Sequence, residues 1–148
     1  MEKNKTHTVN EALGTDEINA CFETMQALRP HLVREKFAEK IKAMQSSGYR
    51  MIYVKGNNTV PAVAGFRFSE HLAWGKIIYI DDLSTHPDFR GKGFATALLD
   101  YILIQAKSAG CKQIHLDSGC GPQRYDAHRL YLKYGFNISS HHFTLDLK

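Results

Sequence analysis

The stretch that most limits how this chain can fold runs from Ile77 to Ser108. It opens with Ile77-Ile78-Tyr79-Ile80, passes through Asp81-Asp82-Leu83-Ser84-Thr85-His86-Pro87-Asp88-Phe89, bends at Arg90-Gly91-Lys92-Gly93, and resumes as Phe94-Ala95-Thr96-Ala97-Leu98-Leu99 at helical spacing. A strand that is apolar on both faces is a central strand covered by layers on each side, so the class is α/β. The bend between strand and helix is also chemically specific. Glycines at 91 and 93 let the backbone take restricted angles and let a ligand come close, and a helix starting near Gly93 leaves its first N–H groups without intrahelical partners. The helix dipole and the charges of Arg90 and Lys92 add to those donors, so the natural guest is a phosphate or pyrophosphate.

The rest of the chain supplies the layers. Asp16–Arg29 predicts a helix from Ile18, Cys21, Phe22, Met25 and Leu28, with Thr15 as N-cap and Pro30 as its stop. A second helix carries Val33, Phe37, Ile41 and Met44 and closes at Ser46-Ser47-Gly48. Tyr49–Lys55 and Val60–Phe68 read as strands joined by Gly56-Asn57-Asn58, and Lys76–Ser84 follows the bend at Trp74-Gly75 as the third strand of a meander. The helix Gly93–Ser108 leads by a right-handed crossover to a parallel strand at Gln113–Asp117. A helix over Asp126–Tyr134, capped by Asp126, ends at Gly135, and Asn137–Leu147 reads as a terminal strand. Met1–Gly14 begins polar, and Thr6-His7-Thr8-Val9 could add a short first strand. The expectation is one domain over residues 1–148, a mixed central sheet flanked by helices.

Composition removes several function classes. Charge is +4, with lysines and arginines spread along the chain, where a nucleic-acid binder would gather them on one face. Cys21, Cys111 and Cys120 are too few and too far apart for a disulfide framework or a Cys-x-x-Cys metal half-site, which fits a reducing cytoplasm. His86, His115, His128, His141 and His142 show no ligand spacing, so no metal is expected. No apolar run approaches the roughly 18 residues of a membrane span, and no signal peptide is expected. A dinucleotide site would need a third glycine, and Thr96 stands in its place.

Two motifs carry a resemblance. Arg90, Gly93 and Ala95 fill the pattern Arg/Gln-x-x-Gly-x-Gly/Ala, approached through Leu83-Ser84-Thr85-His86-Pro87, and Ala127, Tyr131, Gly135 and Phe136 fall in register with Ala-x-x-x-Tyr-x-x-x-Gly-Phe. At this joint spacing, from Ile77 to Phe136, the chain resembles the GNAT superfamily of N-acetyltransferases. Arg124 stands where that family has asparagine. The resemblance implies a GNAT-like fold and transfer of an acetyl group from acetyl-CoA to a primary amine of a small molecule or peptide. It places the pyrophosphate on the backbone of Arg90, Gly91, Lys92, Gly93, Phe94, Ala95 and Thr96. A bulge in the strand before them would free N–H groups near Leu83, Ser84 and Thr85 for the pantetheine and the thioester oxygen. A homodimer is also compatible with it.

Acyl transfer from a thioester needs a neutral amine, donors for the developing oxyanion and an acid for the leaving thiolate. The resemblance gives Tyr131 the last role, although a tyrosine on an apolar helix stripe is also a common packing residue. For the base, Asp81 and Asp82 are candidates. Adjacent strand residues face opposite sides, so one should face the acceptor; Asp81 is the choice, with Asp82 on the far side and Asp117 as the next candidate. Asp117, Ser118 and Asp126 could otherwise cap and bend the chain. A non-catalytic acyl-CoA-binding regulatory module is the alternative reading.

Overall fold

In the computed structural model, which describes residues 7–148, five strands form one sheet in the order β1-β2-β3-β4-β5. They are β1 (Val9–Glu11), β2 (Arg50–Val54), β3 (Ala62–His71), β4 (Gly75–Thr85) and β5 (Gln113–Leu116). The first four pair antiparallel in sequence order. The backbone bond from Lys112 N to Lys76 O ties the entry of β5 to the start of β4, as the mixed sheet requires. The strand foreseen near Thr6–Val9 is β1, displaced toward Glu11, and Thr6 lies outside the described residues, as do Met1–Lys5.

The first unit of the chain extends to His115. In it, the helix expected over Asp16–Arg29 divides into α1 (Thr15–Ala20) and α2 (Phe22–Leu28). The division falls at Cys21, whose N–H bonds Ile18 O, three residues back, and whose ψ of −7° turns the axis. Gly14 occupies the N-cap position expected for Thr15; its N–H donates to Glu17 Oε1 at 3.4 Å, and the Thr15 hydroxyl accepts from Lys42 Nζ. The third helix, α3 (Arg34–Ser46), keeps Phe37 and Ile41 buried, whereas Val33 precedes it and is exposed.

Alternation along the strands builds two cores. Tyr49, Met51 and Val63 join Ile18, Phe22, Met25, Phe37 and Ile41 in one cluster beneath α1, α2 and α3. Arg50, on the opposite face, lies over the Phe66 and Phe68 rings and reaches Gln105 of α4 (Phe94–Ser108), which packs against β2, β3 and β4 through buried Leu98, Leu99 and Ile102.

The second unit starts at Leu116. A 3₁₀ turn at Pro122–Arg124 leads into α5 (Tyr125–Tyr134), which ends where the N–H groups of Gly135 and Phe136 both reach Tyr131 O. Asp126 is not the cap: it lies in the first turn, paired with Arg129, and Arg124 precedes the helix. The terminal strand expected over Asn137–Leu147 does not form; residues from Phe136 onward carry no regular structure. Strand residues need ladder partners for their N–H and C=O groups, and this segment belongs to no sheet.

Candidate active site

β4 ends at Thr85, and His86 turns the chain by donating its N–H to Pro61 O and accepting at Nδ1 from Asp88 N. After the turn at Pro87–Phe89, Gly91 and Gly93 have φ of +75° and +83°, the left-handed region that a Cβ penalises. Gly93 immediately precedes α4, whose first turn has no acidic residue and whose N-terminus has no side-chain cap. Its leading N–H groups are thus left for an anion. Arg90, Gly91, Lys92 and Gly93 are exposed, and Phe94, Ala95 and Thr96 are half-buried. The loop is braced from below by Phe89 against Phe94, with ring centroids 6.1 Å apart. From before β1, His7 stacks on Phe94 at 4.3 Å with Nε2 3.2 Å from Lys92 O. Nothing in local spacing signalled His7, because its partner lies 85 residues away.

Upstream, the β3–β4 ladder slips by one residue. Gly65 opposes Asp82 while Phe66 opposes Ile80, so Asp81 is the extra residue of a bulge. The bulge overturns the expected opposite facing of the two aspartates. Asp82 receives Arg29 Nε at 2.8 Å and the Tyr49 hydroxyl at 2.8 Å. Asp81 receives Arg67 through Nε at 3.0 Å and Nη2 at 2.7 Å, and that guanidinium lies 5.5 Å from the Tyr49 ring centre. Both carboxylates therefore point to the face that α1–α3 cover. Arg29, at the end of α2, also donates through Nη2 to Asp81 O at 2.9 Å, so one guanidinium holds the bulge by its backbone and its neighbour's side chain. Burial and the adjacent Asp82 push the Tyr49 phenol well above its ordinary value. The hydrogen bond to Asp81 raises Arg67 further.

Leu83 and Ser84 are buried and Thr85 is half-buried. The Ser84 hydroxyl donates its proton to Thr24 O at 2.7 Å and so has none to donate to a ligand.

In the second unit, Tyr131 is buried on α5, edge-on to Phe136 at 5.9 Å. Its hydroxyl is 3.5 Å from Arg124 Nη2. Burial raises the phenol pKa, and the Arg124 charge and hydrogen bond oppose that rise. Arg124 also donates to Ser118 Oγ at 3.2 Å, so the residue at the family's asparagine position fastens the loop before α5 to the tyrosine. Asp117 lies 3.4 Å from His142.

The sequence reading thus named the loop from Arg90 to Thr96, both aspartates and, through the resemblance, a bulge in this strand, of which the bulge is observed. It missed Arg29, Tyr49, Arg67 and His7, whose partners are 14 to 85 residues away.

The sequence pattern of the acetyltransferase (GNAT) family matches residues 15–136. The chain belongs to that family. An uncharacterized N-acetyltransferase of Bacillus subtilis (strain 168), YhdJ, is 34% identical over 124 residues, covering 82% of this chain and 86% of that protein. Among solved structures, a transcriptional regulator from Bacillus halodurans C-125 superposes with a TM-score of 0.81 at 22% identity, over 95% of this chain and 99% of that one. An aminoglycoside N-acetyltransferase, AAC(6')-Iy, in complex with CoA superposes with a TM-score of 0.77 at 11% identity, over 96% of each chain. These two likenesses are of fold. This GNAT protein is an acetyl-CoA-dependent N-acetyltransferase acting on an amine. No helix among the described residues is long and apolar enough to cross a membrane.

Proposed function

We propose that this acetyltransferase works by direct attack of a primary amine, borne by a small molecule or a peptide, on the thioester of acetyl-CoA. The pyrophosphate rests on the backbone from Gly91 to Thr96 with Arg90 and Lys92 flanking it, and the backbone at Leu83, Ser84 and Thr85 serves the pantetheine and the carbonyl oxygen. The observation that carries this reading is the sequence of bulge, left-handed glycines and uncapped helix start along one connection. The incoming ammonium gives one proton through water to Asp81, the freed nitrogen bonds to the carbonyl carbon, and as the C–S bond breaks the nitrogen's second proton leaves to solvent. Tyr131 gives its proton to the departing thiolate. A phenol pushed up by burial retains that proton near neutrality, and Asp81, although held by Arg67, still has lone pairs open to water.

One acetyltransferase domain over residues 1–148 is supported by the family match, which runs across both units. Three free cysteines support a reducing, cytoplasmic setting. Exposed apolar residues after α5 support a homodimer.

The test is thiol release from acetyl-CoA with a panel of amines, using Tyr131→Phe beside the parent protein. General acid–base steps contribute about 10²–10⁴-fold, so turnover should fall by a factor in that range while the KM for acetyl-CoA stays near its parent value. Near-parental turnover in the variant would reduce Tyr131 to packing.

A further inference from the structure

Arg29 braces the bulge and still has donors to offer. Its backbone is fixed: its N–H bonds Met25 O at 2.9 Å, its carbonyl accepts from Leu32 N at 3.1 Å, and Gln26 Nε2 holds Leu32 O at 3.2 Å. From that base the side chain reaches β4, where Nε donates to Asp82 Oδ1 and Nη2 to Asp81 O. A guanidinium carries five N–H donors in a planar fork, and those two bonds occupy one edge of it. The adjoining edge, Nη1 beside Nη2, meets no protein acceptor among the described residues. The side chain is 42% exposed, and an open edge of this shape grips a carboxylate through two parallel bonds.

Charge points to the same guest. Arg29 pairs with Asp82 and Arg67 with Asp81, while burial holds the proton on Tyr49 beside them, so the cluster is balanced before an acceptor arrives. A simple alkylamine would bring one unmatched cation to two guanidinium groups. A carboxylate on the same molecule cancels that cation, whereas a phosphate dianion would overshoot. Reach also fits: Nη2 is 2.9 Å from Asp81 O, so the open edge and the Asp81 side chain lie within the span of one small molecule. Ala27 and Pro30, close to Arg29 in the chain, line a cavity of about 570 Å³ with His86 and Pro87, which gives the rest of the acceptor room.

We propose that Arg29 selects the acceptor, a small amino acid whose carboxylate, one to three carbons from its amine, docks on the open edge while the amine faces Asp81. This rests on the reading that a primary amine attacks the thioester with Asp81 as base. The carboxylate then anchors the attacking nitrogen at the bulge. Amines without an acid group lack that anchor, and so do peptide amino termini.

The experiment measures thiol release from acetyl-CoA with glycine, β-alanine and 4-aminobutyrate, each beside its amide, in the parent protein, Arg29→Lys and Arg29→Gln. The readout is the acid-to-amide ratio of kcat/KM within one protein, a ratio from which general damage to the bulge cancels. Removing the carboxylate charge lowers the amine's pKa and leaves more of it unprotonated, so intrinsic reactivity favours the amides. A charge-assisted pair contributes about 10- to 150-fold, and the parent should prefer at least one acid by a factor in that range. Arg29→Gln should bring the ratio within threefold of one, and Arg29→Lys, which keeps the charge without the fork, should lose most of the preference. Equal use of acids and amides by the parent overturns the proposal, as does an Arg29→Gln protein that keeps the parent's ratio. So does O-phosphoethanolamine outrunning every acid. Turnover of simple alkylamines with none of the three acids accepted overturns it too, yet leaves direct attack by a primary amine standing; failure of every amine would strike that reading as well.

Discussion

The Tyr49 side chain fills the space above Gly65: a Cβ at position 65 would lie 1.7 Å from Tyr49 Oη and 2.2 Å from the ring carbon that bears it. This close approach lets a residue just before β2 reach across β3 and donate to Asp82 beside the bulge. Gly65→Ala should therefore displace Tyr49 and cost about 1–3 kcal/mol, the usual range for overpacking. The urea midpoint measures it. Removing only the hydroxyl with Tyr49→Phe should not rescue the double variant, because the ring itself is in the way.

The two aspartates share a face but should separate in their effects. A primary alkylamine has a pKa of about 10.4, so near neutral pH it arrives as a cation and must lose a proton before it attacks. Asp81→Asn should lower turnover strongly at pH 7 and recover in part at higher pH, where free amine is abundant. Asp82→Asn leaves Arg29 and Tyr49 without their charged acceptor and should mainly lower stability, by about 1.5–3 kcal/mol. The pH–rate profiles of both variants decide the matter; a pH-rescued defect in Asp82→Asn alone would transfer the role of base to it.

For the anion loop, Gly93→Asp places a β-carbon at a φ of +83° and a carboxylate at the start of α4. Calorimetry should show acetyl-CoA affinity falling at least tenfold. His7→Ala leaves the charges intact and removes only the brace on Lys92 O and Phe94, so a smaller loss of about two- to fivefold is expected, the equivalent of about 0.4–1 kcal/mol.

Stability should also fall at alkaline pH in a defined window. Burial raises the Cys21 thiol from its ordinary 9.0 to about 12, with Glu17 adding to the rise. A folded-state pKa above the unfolded one means the folded chain holds the proton more tightly, so this contribution is complete below pH 9 and is lost as pH climbs toward 12. Tyr49, shifted in the same direction, adds loss above pH 10. Denaturation midpoints should be level to about pH 9 and then decline, and Cys21→Val should make the first part of that decline shallower. Equal slopes for the two proteins would show that Cys21 takes no part.

What could be read from residue order was whatever local chemistry enforces. Pro30, Gly48, Gly75, Gly93 and Gly135 mark element ends because backbone angles are set within a few residues, and the apolar stripes of α3, α4 and α5 follow from helical spacing. The bulge was foreseen only as what the family resemblance implies, and not at Asp81, since a one-residue slip depends on which residues of β3 stand opposite. That slip is also why strict alternation misassigned the face of Asp82. Asn137–Leu147 was read as a terminal strand, yet residue order cannot supply the neighbouring strand that its backbone would need. Arg29 looked like an ordinary residue before a proline, and only the folded chain carries it to the bulge, 53 positions along.

One pair of buried polar residues has a mechanical effect. Thr24 donates its hydroxyl to Val60 O at 2.5 Å, and its own carbonyl accepts from Ser84 Oγ at 2.7 Å. Both side chains are sealed from water, so neither bond can be traded for solvent without opening the core. α2, the entry to β3 and the last turn of β4 are stitched at one point and must loosen together. Slow amide exchange should therefore report one shared opening free energy for Thr24, Ala62 and Ser84, and the strand end that delivers the anion loop should be as rigid as the helix that carries Arg29.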